Sequence, residues 1–350
     1  MATTRSSSIT TILSALWLNT EIETLETAGQ KYVLLSDIHL GDGGRADDSR
    51  NNEQALVDAL RYYAGAGYTL LLLGDIEEFW QFDLEAVVGR YNGSVYAALR
   101  EFGDPRMHRI FGNHDREWGG LEDPARQDGK KSRYAAEALK LKDSSGNVRF
   151  LLVHGHQGSL DADKLAWMSR FFVRLFKLVE PAAKRIGLYG DPSATKSQIT
   201  QDYERTLYQW AKAHRVILIC GHTHRAIFAS KSYAERLQER IAALRSESAA
   251  GRALGETARQ NIDEIVELRG RLRDEKKRDR VIVPVEPEGE PLPCYFNTGC
   301  GTYTDGLTAL EICDPEIRLV KWNRNAAGPA TKTVYNTGDL DALVAQVVDQ

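Results

Sequence analysis

Tyr32-Val33-Leu34-Leu35-Ser36-Asp37-Ile38-His39 reads as a short buried strand that runs straight into a carboxylate and an imidazole two positions apart. The apolar run is short and flanked by polar residues, which suits a strand covered on both faces. An i, i+2 pair leaving a strand end projects to one side, where both groups can reach one ion. The same design recurs four times. Thr69–Leu73 ends in Gly74-Asp75, His108–Phe111 in Gly112-Asn113-His114-Asp115, Arg149–Val153 in His154-Gly155-His156, and Val216–Cys220 in Gly221-His222-Thr223-His224. Between the first two strands, Leu56, Leu60 and Tyr63 fall at helical spacing, so the chain opens as β-α-β. Ligands in open α/β sheets gather at the carboxyl ends of the strands, and five such endings would converge there.

Farther along, Tyr295–Asn297, Thr308–Ile312 and Ile317–Trp322 read as three more strands, the last two joined by a turn at Asp314-Pro315. Two segments interrupt this pattern. Residues 163–184 are strongly apolar, with Arg170, Arg174 and Lys177 on one helical face; they suit an interfacial helix or lid, or a core helix with its basic face in water. Residues 232–280 are charge-rich, with Leu237, Ile241 and Leu244 followed by Ile262, Val266 and Leu272 near heptad spacing. Gly251 and Gly255 separate the two series, which predicts a helical hairpin. At 350 residues the chain fits one large domain: 31–231 with 281–325 as the body, 232–280 as an insertion, and 1–30 and 326–350 as terminal extensions.

Six of the eight histidines lie in the strand-end motifs, which marks them as a metal site rather than scattered core histidines. Imidazole, carboxylate and amide donors without thiolate suit Mn²⁺, Zn²⁺ or Fe and argue against a structural cysteine-type zinc site. Asp75, alone on its strand, is the natural bridge between two ions. Cys220, Cys294, Cys300 and Cys313 show no CxxC spacing, so a reduced, cytoplasmic setting is expected. A net charge of -4 weighs against a nucleic-acid partner, which would call for a basic surface. Ile12–Leu18 is too short for a membrane span and lacks the cleavage pattern of a signal peptide.

In order and composition, Asp37-Ile38-His39, Gly74-Asp75, Gly112-Asn113-His114-Asp115, His154 and Gly221-His222-Thr223-His224 resemble the motifs of the calcineurin-like metallophosphoesterase superfamily. The likeness runs from about residue 31 to 225, and Phe296-Asn297-Thr298-Gly299 is similar to that family's strand ending after the last histidine motif. The resemblance implies an α/β fold, a β-sandwich of two mixed sheets flanked by helices, here with the helical hairpin inserted. It implies two divalent ions, Mn²⁺ foremost and Zn²⁺ or Fe as alternatives. Asp37, His39, Asp75 and His224 would hold one, and Asp75, Asn113, His154 and His222 the other. The implied reaction is hydrolysis of a phosphate ester or pyrophosphate by a hydroxide bridging the ions. His114 would be the proton donor or a transition-state hydrogen-bond partner, and Asp115 would hold its ring in one tautomer. Arg116 and Arg225 are candidates for gripping phosphate oxygens. His156 would touch substrate or cap a loop, and Glu77 and Glu78 are either supports of the site or solvated loop carboxylates.

Gly74-Asp75-Ile76-Glu77-Glu78-Phe79-Trp80 and His154-Gly155, followed by the apolar basic segment, are similar to the branch that hydrolyses the pyrophosphate of UDP-2,3-diacylglucosamine. This implies a lipid-linked or nucleotide-linked substrate and peripheral membrane contact through 163–184. That branch carries arginine where His114 stands and lacks a long hairpin after the last histidine motif. Protein serine/threonine phosphatase, nuclease and noncatalytic scaffold are the other readings, and 232–280 is expected to serve as a homo-oligomer or partner contact.

Overall fold

A computed structural model of the protein describes residues 2–103, 105–119, 136–157, 193–250, 256–278 and 284–349. The apolar basic segment 163–184 lies outside the described residues. Strands β1 (Thr24–Glu26), β2 (Lys31–Leu35), β3 (Thr69–Leu73), β4 (Met107–Ile110), β5 (Ala138–Lys142), β6 (Val148–Val153), β7 (Ile217–Cys220), β8 (Ala226–Phe228), β9 (Lys231–Ser232), β10 (Tyr295–Thr298), β11 (Gly306–Cys313), β12 (Glu316–Asn323) and β13 (Thr331–Asp339) form two mixed sheets. One has the order β1-β5-β6-β7-β10-β8-β9 and the other β13-β12-β11-β2-β3-β4.

Strand alternation decides what each sheet covers. In β2 and β3, Tyr32, Leu34, Leu71 and Leu73 point into the core between the sheets, where Phe150, Leu152, Ile219 and Phe296 meet them. Val33, Leu35, Leu70 and Leu72 point the other way, under a helix spanning Glu53–Gly65 that buries Leu56, Leu60 and Tyr63. Each of these side chains contributes about 1.5–3 kcal/mol by leaving water, so a one-residue slip in register would forfeit both cores. The outer face of the first sheet is covered by helices Ala2–Leu18 and Ser193–His214, through Ile9, Leu13, Leu207 and Trp210. The short apolar stretch near the start of the chain is thus part of a packed helix. No described helix is long and apolar enough to cross a membrane.

The two chain ends, read from the sequence as extensions, each add a strand: β1 pairs in parallel with β5, and β13 pairs antiparallel with β12. In the charge-rich segment, helices Tyr233–Ala249 and Glu256–Arg278 pack together, joined by Arg240 Nε to Glu264 Oε1 at 2.8 Å. The first starts at a capping box, in which Ser232 and Glu235 satisfy each other's backbone N–H groups. Its Tyr233 stacks on Tyr335 of β13 at 3.8 Å, which seats the base of the helix pair against the second sheet.

Candidate metal centre

Parallel pairing brings the predicted donors to one end of both sheets. Strands β2, β3 and β4 run parallel, as do β6 and β7, so Asp37, His39, Asp75 and Asn113 leave one sheet where His154, His222 and His224 leave the other. The ladder continues past the strands: Asp37 N donates to Gly74 O, His39 N to Asp75 O, and Gly221 N to His154 O. Asp37, His39, Asp75, His222 and His224 all have positive φ, between 52° and 67°. A left-handed backbone at a residue other than glycine costs about 1–3 kcal/mol, and its concentration at five donor positions is the signature of a site that aims side chains at the expense of stability. Two glycines make room for them. A Cβ on Gly112 would overlap the Asp75 carboxylate, and one on Gly221 would overlap Ser36 Oγ and Asp37 Oδ2.

Among the described residues, three groups of donors lie close enough to share an ion: Asp37 with His39 and His224, His39 with Asp75 and His114, and Asp75 with His154 and His222, the ligand atoms of each group within 4.8 Å of one another. Ring orientation follows from what the other nitrogen meets. His154 Nδ1 faces Leu73 O at 2.7 Å and His39 Nδ1 faces Glu78 Oε2 at 3.0 Å, so both rings carry a proton there and turn Nε2 inward. There His39 Nε2 sits 3.1 Å from His224 Nε2, and His154 Nε2 sits 3.0 Å from Asp75 Oδ2. Asn113 Oδ1 is buried without a hydrogen-bond partner among the described residues, as a ligand atom kept for a cation would be.

The electrostatics fit the same purpose. Burial would keep Asp37 and Asp75 protonated, but His224 beside the first and His154 beside the second hold both carboxyls below their ordinary range. Burial would likewise strip the proton from His154, yet Asp75 raises it to about 9. His222, buried and facing the charge on His154, falls to about 3 and stays a neutral donor. Positive charge is therefore already called for at the place where the donor set suits a divalent ion, and the oxygen and nitrogen ligands present fit one. Asn297 braces the last motif, its Nδ2 donating to Gly221 O at 2.6 Å and its Oδ1 accepting from Gly299 N at 2.9 Å.

Two sequence expectations, those for Asp115 and Arg225, change here, and the choice left open for Glu77 and Glu78 is decided. Asp115 does not hold the His114 ring: its fully buried carboxylate accepts from Gly112 N at 2.6 Å and Ile76 N at 2.8 Å, fixing the turn instead. Burial, with Asp75 and Glu77 nearby, pushes its pKa up to about 7. The group that does hold His114 is Glu78, whose Oε1 lies 2.8 Å from His114 Nδ1 while its other oxygen takes His39. Burial opposes its ionisation, but the hydrogen bonds from His114 and His39 bring it down to about 2. Arg225 is tied to the buried Glu204, which also accepts from Thr223 Oγ1 at 2.7 Å, so the guanidinium braces the last histidine loop. Glu77 and Glu78 are both buried rather than solvated. Arg116 is exposed at the start of a short turn after His114, and His156 is buried beside His154 with ring centroids 5.4 Å apart, outside the three donor groups.

Adjacent in sequence, the two glutamates do different work. Glu77 accepts from Arg109 Nη1 at 2.7 Å, Trp118 Nε1 at 2.6 Å and Tyr96 OH at 2.9 Å, all away from the donors. Glu77→Ala takes the carboxylate from beside a buried guanidinium and is expected to cost about 3–5 kcal/mol. Urea denaturation checks this: the midpoint should fall while the folded variant binds metal as wild type does, and an unchanged midpoint would refute the structural role.

The sequence model of one family, calcineurin-like phosphoesterase, matches residues 31–226, more than half of the chain. Among solved structures, that of Vacuolar Protein Sorting 29 from Cryptosporidium parvum is similar at 11% identity and a TM-score of 0.37, covering 89% of this chain and 99% of the other. No curated protein matches the sequence.

Proposed function

The chain belongs to the calcineurin-like phosphoesterase family, and from that membership we propose that it is a metal-dependent phosphoric ester hydrolase with a two-ion site. Asp37, His39, Asp75 and His224 would hold one ion and Asp75, Asn113, His154 and His222 the second. The observation that carries this reading is the overlap of the donor groups, in which Asp75 is the one carboxylate belonging to two of them. When bound, such ions acidify a water and neutralise the charge that develops on a phosphoryl group. His114 supplies the proton: with Nδ1 engaged by Glu78, its Nε2 is the nitrogen left to serve a leaving oxygen. Its backbone N–H donates to Asp75 Oδ1 at 2.8 Å, which ties the proton donor to the bridging carboxylate.

Retention of every expected donor favours an enzyme over a noncatalytic scaffold. Mn²⁺ is the first metal to test, with Zn²⁺ and Fe²⁺ beside it. The substrate is carried as a phosphorylated compound, with lipid-linked and nucleotide-linked diphosphates included because residues 74–80 resemble a branch that cleaves one. The test is elemental analysis of purified protein together with hydrolysis of phosphomonoester, phosphodiester and nucleoside-diphosphate-lipid substrates. We expect about two metals per chain, turnover of at least one substrate class, loss on chelation and recovery on re-addition. A protein that holds its metals yet turns over nothing across the panel would be the scaffold.

A further inference from the structure

The family reading assigns His114 its chemistry; the structure adds how that ring is kept in place. Residues 78–82 form one tight turn, in which Gln81 N and Phe82 N both donate to Glu78 O. Phe79 anchors it, buried against Trp118 at 5.5 Å, and Phe79 N donates to His114 O at 3.1 Å. From this turn Glu78 reaches the edge of the His114 ring, and Trp80 covers its face, with centroids 4.0 Å apart and planes 21° from parallel. His39 meets the same ring edge-on at 4.8 Å and 88°. We propose that Trp80 is a positioning residue: its indole face, with the Glu78 carboxylate from the same turn, holds the His114 imidazole at the orientation in which Nε2 serves the reaction. The inference rests on the phosphoesterase reading for its kinetic consequence and on geometry for its cause.

The indole's own state supports a role beyond filling space. Trp80 Nε1 is sequestered from solvent and has no hydrogen-bond partner among the described residues. An unsatisfied buried donor costs about 1–3 kcal/mol, a cost that a purely apolar side chain of similar size would avoid. What the position gains in return is a broad aromatic face parallel to an imidazole, an arrangement stabilised by stacking and, when the ring is protonated, by cation–π attraction. A single hydrogen bond donated to Glu78 leaves the ring room to swing about its Cβ–Cγ bond, and the stacked face narrows that freedom.

Trp80→Phe and Trp80→Leu, each also combined with His114→Ala, test the proposal. The first readout needs no substrate. In metal-free protein the His114 ring protons, assigned among eight histidines by comparison with His114→Ala, should be shifted upfield by the indole ring current. That shift should vanish in Trp80→Leu and survive in part in Trp80→Phe. On a chromogenic phosphodiester with Mn²⁺, Trp80→Leu should lower kcat by about tenfold or more with KM nearly unchanged. Trp80→Phe should recover most of the loss, and Trp80→Leu should slow His114→Ala no further. Absence of the ring-current shift would overturn the proposal, as would an equal loss from Trp80→Leu in both backgrounds or an effect confined to KM. Inactive wild-type protein would refute the phosphoesterase reading while the spectroscopic result still decided whether Trp80 orders the ring.

Discussion

Asp75→Asn should strip the protein of tightly held metal and reduce turnover by roughly 10³-fold or more. The substitution is nearly isosteric, so the turn that carries it should survive and the loss can be read as a loss of charge. Asp75 is fully buried, its Oδ2 stands 3.0 Å from His154 Nε2, and its Oδ1 accepts the His114 backbone N–H. An amide there removes the negative charge that offsets the burial of two cations side by side, and it puts a donor where acceptor lone pairs converge. Elemental analysis and hydrolysis rates on the same preparation check both halves. A variant that keeps two ions and near-normal turnover would show that Asp75 is not the bridge.

His114→Ala should leave the metal content intact and lower kcat by about 10²–10⁴-fold, the range for loss of a general acid. The structure sharpens this test, because His114 also forms a donor group with His39 and Asp75. Its ring is therefore near enough to an ion for ligation to be a rival role. Retained metal with slow turnover assigns proton transfer; an emptied site assigns ligation and overturns His114 as the proton donor. Comparison of leaving groups separates the two further, since loss of a proton donor penalises poor leaving groups more than activated ones.

Strands with apolar runs were legible because burial on both faces leaves a local composition signal; Tyr32–Leu35, Thr69–Leu73 and Val216–Cys220 each match an observed strand to within a residue. Thr24–Glu26 and Thr331–Asp339 carried no such signal. Thr24–Glu26 is three residues long and lies at the edge of its sheet, paired only with β5, whereas Thr331–Asp339 is a half-exposed polar edge strand held by β12. Supports of the site were equally hidden. Glu78 reaches His114 across 36 positions and His39 across 39, and Arg225 is claimed by Glu204 from a helix that precedes its strand. Asp115, the nearest carboxylate in sequence, points away into the turn.

The amino-acid order alone determined the donor inventory and its gathering at one end of two sheets. Each donor is covalently attached to the end of a strand, and strands that run parallel bring their ends together whatever fills the loops. Only the tertiary structure decided which ring nitrogen faces inward, which carboxylate holds which imidazole, and which arginine is already engaged. Those outcomes depend on through-space neighbours from unrelated stretches of chain, and in a dry interior such neighbours set the proton positions and charges that local sequence leaves open.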